Sequence, residues 1–81
     1  MAAVMQTWKI RDEFSDYIEV TLCDRSVVVE DYRPGRPMIV RGGSIINGYR
    51  IHEQMHDSEE AAYEDAQQQI RAARVTVATT L

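Results

Sequence analysis

A lone cysteine, Cys23, leaves no partner for an internal disulfide, so the chain is not one of the stapled secreted scaffolds, and a reducing cytosol is its natural home. The opening MAAVMQTWKI has neither the basic segment nor the apolar run of a signal peptide, and no stretch approaches membrane-spanning length. A cytoplasmic protein without a membrane segment is therefore expected. Repeats, low-complexity segments and long linkers are also missing, and 81 residues are short for a fold without disulfides or metal, so residues 1–81 read as one domain. Aromatics are few: Trp8, Phe14, Tyr17, Tyr32, Tyr49 and Tyr63 can anchor a thin core, such as a sheet face under one helix, but not an internal substrate cavity. Positive charge is in short supply as well. Nine Lys and Arg against thirteen Asp and Glu give a net charge of −4, which argues against unspecific binding of DNA or RNA and suits a basic protein partner.

What is present is patterned. Val4–Ile10 alternates loosely, with Val4, Trp8 and Ile10 on one side, and reads as a first strand. Arg11–Asp16 is a polar turn. Tyr17–Cys23 is the cleanest strand, with Ile18, Val20 and Leu22 facing one way and Tyr17, Glu19 and Thr21 the other. Asp24-Arg25-Ser26 turns the chain, and β-branched Val27–Tyr32 pairs back as a hairpin. RPGRP, Arg33–Pro37, is a loop, because its two prolines remove two N–H donors around Gly35. Met38–Arg41 and Ser44–Ile46 are short strands about Gly42-Gly43, and Asn47-Gly48 signals a further turn before a strand over Tyr49–His56.

The helix is the strongest element. DSEEAAYEDAQQQIRAAR offers Asp57 or Ser58 as N-cap, with Asp57 and Glu60 at capping-box spacing. Ala62, Ala66, Ile70 and Ala73 form one apolar stripe, and its small side chains let the helix lie close on a sheet. Acids sit early and Arg71 and Arg74 late, complementing the helix dipole. The final VTVATTL is β-branched and reads as an edge strand or a frayed end. The expected fold is α+β: four or five antiparallel strands in a meander, covered on one face by the C-terminal helix.

His52–His56, HEQMH, matches the zinc-protease signature letter for letter. That chemistry needs His52 and His56 one helical turn apart, Glu53 to activate a metal-bound water, and a third ligand from a later element. The cap signal at Asp57-Ser58 places HEQMH before the helix, in a strand, where residues four apart are roughly 13 Å apart along the chain. No later histidine exists, and the only later acids lie within the helix itself. One long helix from Arg50 to Arg74 is the competing reading. The expectation is that no metal, cofactor or catalytic set is present, with a minimal zinc hydrolase through His52, Glu53 and His56 as the alternative.

Other constellations are weaker. VRGGSIING lacks the P-loop lysine and spacing, so Gly42, Gly43 and Gly48 are turn glycines. Cys23 has no spacing to His52 or His56 that suggests a nucleophile and base, and Ser58 lacks a nucleophile-elbow context. Two charged clusters remain. Arg33 and Arg36, with Arg41 and Arg50 as candidate neighbours, suit phosphate or acidic partners, or simply pair with Glu30, Asp31 and the helix acids. Asp57, Glu59, Glu60, Glu64 and Asp65 suit a basic protein groove that otherwise holds nucleic acid, or simply form a solvated helix start.

In size, acidity and layout, with GYRIHEQMHDSEEAAYEDAQQQI as its most typical passage, the chain resembles small phage-encoded anti-defence proteins of the anti-CRISPR type. The resemblance carries no diagnostic motif and transfers no residue roles. It implies a non-enzymatic inhibitor in the host cytoplasm that binds a bacterial protein or ribonucleoprotein complex and blocks nucleic acid or nuclease access. The surfaces expected to do so are Asp57, Glu59, Glu60, Glu64 and Asp65, or Arg33 and Arg36. A small nucleic-acid binder using Arg33, Arg36 and Arg41 is a further reading, and edge-strand pairing makes a homodimer conceivable.

Overall fold

The computed structural model describes residues 5–11, 17–33 and 38–78. Among these residues, six strands precede one helix: β1 (Met5–Arg11), β2 (Tyr17–Cys23), β3 (Ser26–Asp31), β4 (Met38–Arg41), β5 (Ser44–Asn47), β6 (Tyr49–Met55) and α1 (Glu59–Ala78). The expected α+β fold, an antiparallel sheet packed by one C-terminal helix, is what forms.

The strands do not make one continuous meander. β1-β2-β3-β6 form a four-stranded antiparallel sheet, while β4 and β5 pair with each other in a separate two-stranded ribbon. β3 thus skips the short ribbon and takes β6 as its neighbour. Strand length explains the choice: β6 has seven residues to match the six of β3, whereas β4 and β5 have four each.

Both tight hairpins obey turn chemistry. Cys23 faces Ser26 across a two-residue loop whose first member, Asp24, has φ of 53°, a left-handed conformation that aspartate tolerates. Arg41 faces Ser44 across Gly42 and Gly43, with φ of 58° and 83°, and positive φ at both central residues is the requirement that favours glycine there.

Alternation in β2 sets the core. Ile18, Val20 and Leu22 share one face with Val27 and Val29 of β3. Ala62, Ala66, Ile70, Ala73 and Val77 of α1 close over them, with Trp8 and Ile10 of β1 packed at the side. Two alanines of that stripe are fully buried, so the helix backbone comes close to the sheet.

Ser58 is the N-cap: its Oγ accepts the Ala61 N–H at 3.1 Å. Asp57 therefore lies one residue outside the helix, and the Asp57–Glu60 capping box does not form, because N3 is Ala61. The end also differs from expectation. Val75–Ala78 continue the helix instead of forming an edge strand or fraying, and Val77 extends the buried stripe by one turn. Arg71 and Arg74 consequently precede the last turn, which carries no basic residue. Burial of Val77 outweighs the β-propensity of its neighbours. Val4, the polar turn over 12–16, the loop residues 34–37 and 79–81 lie outside the described residues. No helix among the described residues is long and apolar enough to cross a membrane.

Candidate functional site

HEQMH is strand and not helix, but it does not run as a simple strand. Val29 faces His52 and Glu30 faces Arg50, so Ile51 is an extra residue, a β-bulge. The bulge resets the alternation. Arg50 and Glu53 come to the face away from the helix, where Arg50 Nη1 meets Glu53 Oε2 at 2.8 Å. His52 turns to the helix face, opposite buried Val29.

Beyond Met55 the strand ends, and the His56 N–H bonds the Arg25 carbonyl at 2.8 Å. That bond anchors the backbone beside the β2–β3 turn. From there the His56 ring reaches back to Asp65 on the second turn of α1. His52 Nε2 and His56 Nε2 each lie 2.8 Å from the same atom, Asp65 Oδ2. The other oxygen, Oδ1, accepts from Gln69 Nε2 at 3.1 Å. Strand spacing had suggested that the two histidines stay far apart. Instead, their ring nitrogens are separated by no more than two hydrogen-bond lengths, because long imidazole arms and the bend after Met55 close the gap.

This cluster fastens edge strand β6 to the helix. The side chains of His52, His56 and Asp65 are 28%, 22% and 12% exposed, so solvent reaches the rings while the carboxylate is mostly covered. Burial pushes the Asp65 carboxyl up, but hydrogen bonds from His56, His52 and Gln69 outweigh it and hold the group below its ordinary value of 3.8. The zinc-protease arrangement is not formed, since Glu53 faces the opposite side of the sheet from both histidines. Among the described residues, no group of three or more His, Cys, Asp or Glu is placed to hold a metal ion.

The far face of the sheet is polar and ordered. Lys9, Glu19, Glu30 and Arg50 stand in one cross-strand row, cation, acid, acid, cation. Glu19 and Glu30 are each only 4% exposed. Arg50 Nη2 meets Glu30 Oε2 at 3.2 Å, and the Tyr32 hydroxyl donates to Glu30 Oε1 at 2.9 Å. Hydrogen bonding to Glu30, helped by its charge and that of Glu53, raises the Arg50 pKa. Tyr32 stacks on Tyr17 with ring centroids 4.9 Å apart, and Lys9 and Arg11 lie over the Tyr17 ring.

Expected site residues separate into three groups. Arg33 is committed: its Nε and Nη2 donate to the two oxygens of buried Asp31 at 2.9 and 2.7 Å. Asp65 is likewise committed to the histidines. Arg36 and the side chain of Arg41 lie outside the described residues. Glu59, Glu60 and Glu64 remain exposed, and no ion pair engages them among the described residues. Asp57 is also exposed, just before the cap.

Glu59, Glu60 and Glu64 are brought together with a residue that sequence reasoning missed. They border a groove of about 440 Å³, between the start of α1 and the adjacent ends of β1 and β2. Asp24 supplies a fourth carboxylate from the β2–β3 turn, and Leu22, Tyr63 and Gln6 complete the lining. Asp24 looked like an ordinary turn residue; only the placement of the helix start over the end of β2 brings it to the acids. No known protein family, curated protein or solved structure matches the chain.

Proposed function

We propose that this chain is a non-enzymatic interaction module whose acid-bordered groove receives a basic segment of a protein partner. The observation that carries the reading is the groove itself: Asp24, Glu59, Glu60 and Glu64 surround a lining that includes Leu22 and the half-exposed ring of Tyr63. An arginine or lysine side chain lays its methylenes on such a lining, stacks on the ring and presents its charge to the carboxylates. The net charge of −4 steers a basic surface toward the groove.

The most concrete version follows from the resemblance to phage anti-defence proteins. The partner is then a bacterial nuclease or ribonucleoprotein complex, and the carboxylates occupy a basic channel that otherwise holds phosphates. Inhibition is stoichiometric and competes with nucleic acid. The nucleic-acid-binding reading gains less support, because Arg33 is already neutralised by Asp31. The zinc-hydrolase reading lacks its base, because Glu53 faces away from the histidines.

The test is retention of partners from bacterial lysate on the tagged protein, compared with a Glu59→Lys, Glu60→Lys, Glu64→Lys variant. The reading expects one defined nucleic-acid-binding complex on the parent, displaced by added nucleic acid and absent from the variant. Equal retention by a folded variant contradicts it.

A further inference from the structure

Gln6 belongs to the acid-bordered groove and to strand β1 at once. β1 is an outermost strand of the four-stranded sheet, and among the described residues no strand lies beyond it. In an antiparallel edge strand every second residue turns its N–H and C=O outward, so β1 offers a row of backbone donors and acceptors beside the groove. We infer that the partner segment binds as an added strand along β1, with one arginine or lysine side chain entering the groove opposite Gln6 and apolar side chains opposite Trp8 and Ile10. This mode rests on the groove reading and specifies how the segment is held.

The two faces of β1 ask for different chemistry. Gln6, Trp8 and Ile10 stand opposite Leu22, Val20 and Ile18 of β2, so all three share the helix face. Trp8 and Ile10 are half-buried at the open side of the core. An added strand lies about 4.8 Å outside β1, and its side chains follow the same two-residue period. Three alternate side chains of the segment therefore meet the groove, Trp8 and Ile10. The others meet Thr7, Lys9 and Arg11 on the far face, where the two cations are exposed beside the Tyr17 ring. A basic residue is disfavoured opposite Lys9 or Arg11, and an acid is favoured. The segment that fits is thus two-sided: a cation toward the helix and none toward the far face. An all-arginine segment satisfies the groove but is repelled along β1, so it is held at the groove alone.

The opposite edge of the sheet is less suited. β6 is interrupted by the bulge at Ile51, a device that blunts an edge against pairing. β1 pairs with β2 over all seven of its residues from Met5 to Arg11. Main-chain bonds along such an edge supply affinity, and alternate side chains supply specificity.

The test titrates the isotope-labelled full chain with the end-blocked peptide Thr-Val-Glu-Val-Thr-Arg-Ser, read by amide NMR and by intermolecular NOEs. Paired antiparallel, this peptide sets its arginine opposite Gln6, its valines opposite Trp8 and Ile10, and its glutamate opposite Lys9. Saturable shifts along the whole of β1 as well as at the groove are expected, with backbone NOEs from peptide to β1. The peptide Val-Thr-Val-Glu-Thr-Arg-Ser has the same composition but sets valines and arginine on opposite faces, and is expected to bind more weakly. Replacing the peptide glutamate by lysine is expected to weaken binding at least about twofold, as like charges facing across strands do. Groove shifts with Thr7–Arg11 unmoved overturn the strand mode and leave the groove reading standing, and so does equal binding of all three peptides. No saturable shift with the first peptide overturns the strand mode, and none with an arginine-rich peptide overturns the groove reading with it. Shifts of β1 that follow the concentration of the free chain assign this edge to a second copy, which also overturns the proposal.

Discussion

The strand pair β2–β3 and the ribbon β4–β5 are built from similar residues and end differently. VTL and VVV in the first are rich in β-branched residues, and so are MIV and SII in the second. Val20 and Val27 are fully buried under α1, whereas Val40 is 74% and Ile45 66% exposed. Intrinsic strand preference made both hairpins. Cover by the helix made only one of them part of the core. A two-stranded ribbon on its own is marginal in water, and Met38, Val40 and Ile45 are exposed, so local pattern explains that β4 and β5 pair, and burial explains which strands hold the molecule together.

That contrast is broken most forcefully at the helix. Ile70→Ala removes a 3% exposed side chain from the stripe over β2; large-to-small changes of this kind cost about 2–5 kcal/mol. Urea unfolding measures it, and a loss below about 1 kcal/mol would mean that the helix is not the cover described.

The clasp comes next. Asp65→Ala leaves His52 and His56 without their shared acceptor, and is expected to cost about 1–3 kcal/mol. Amide hydrogen exchange should speed up in β6 and the start of α1, and hardly at all in β1. The same group predicts a pH effect. Its folded pKa lies below the ordinary 3.8, so the stability it contributes is present above that value and lost as pH falls through the folded pKa. Acid unfolding curves of the parent and Asp65→Asn should therefore converge below about pH 4. Curves that remain parallel down to acid contradict the clasp.

The smallest effects belong to exposed positions. Glu53→Ala cuts only the surface pair with Arg50, and Val40→Ser alters only an exposed position of the ribbon. Each is expected within about 0.5 kcal/mol of the parent. A large loss at Val40 would show that something covers the ribbon in solution.

Much of this was legible in the chain. Clean alternation over Tyr17–Cys23 fixed that strand to the residue, because its period is unbroken. The Ala62–Ala66–Ile70–Ala73 stripe named the buried helix face. Asp57-Ser58 as a cap correctly separated HEQMH from the helix. What escaped depends on contacts between distant segments. The skip from β3 to β6 is decided by strand length and cover, which no local period encodes. The bulge at Ile51 puts Arg50 and Glu53 on one face although they are three residues apart, and a strict alternation cannot foresee it. The meeting of His52 and His56 at Asp65 follows from that bulge, the bend after Met55 and the helix position together. Asp24 joined the helix acids for the same reason, and Arg33 turned inward because Asp31 is buried beside it.

The groove is the central claim, and amide NMR of the isotope-labelled chain titrated with a short arginine-rich peptide tests it most directly. The account predicts saturable shifts confined to Gln6, Leu22, Asp24 and Glu59–Glu64, weakening as salt is raised and lost in the triple Glu→Lys variant. Shifts centred instead on the β4–β5 ribbon or the far face of the sheet, with the groove amides unmoved, would contradict it.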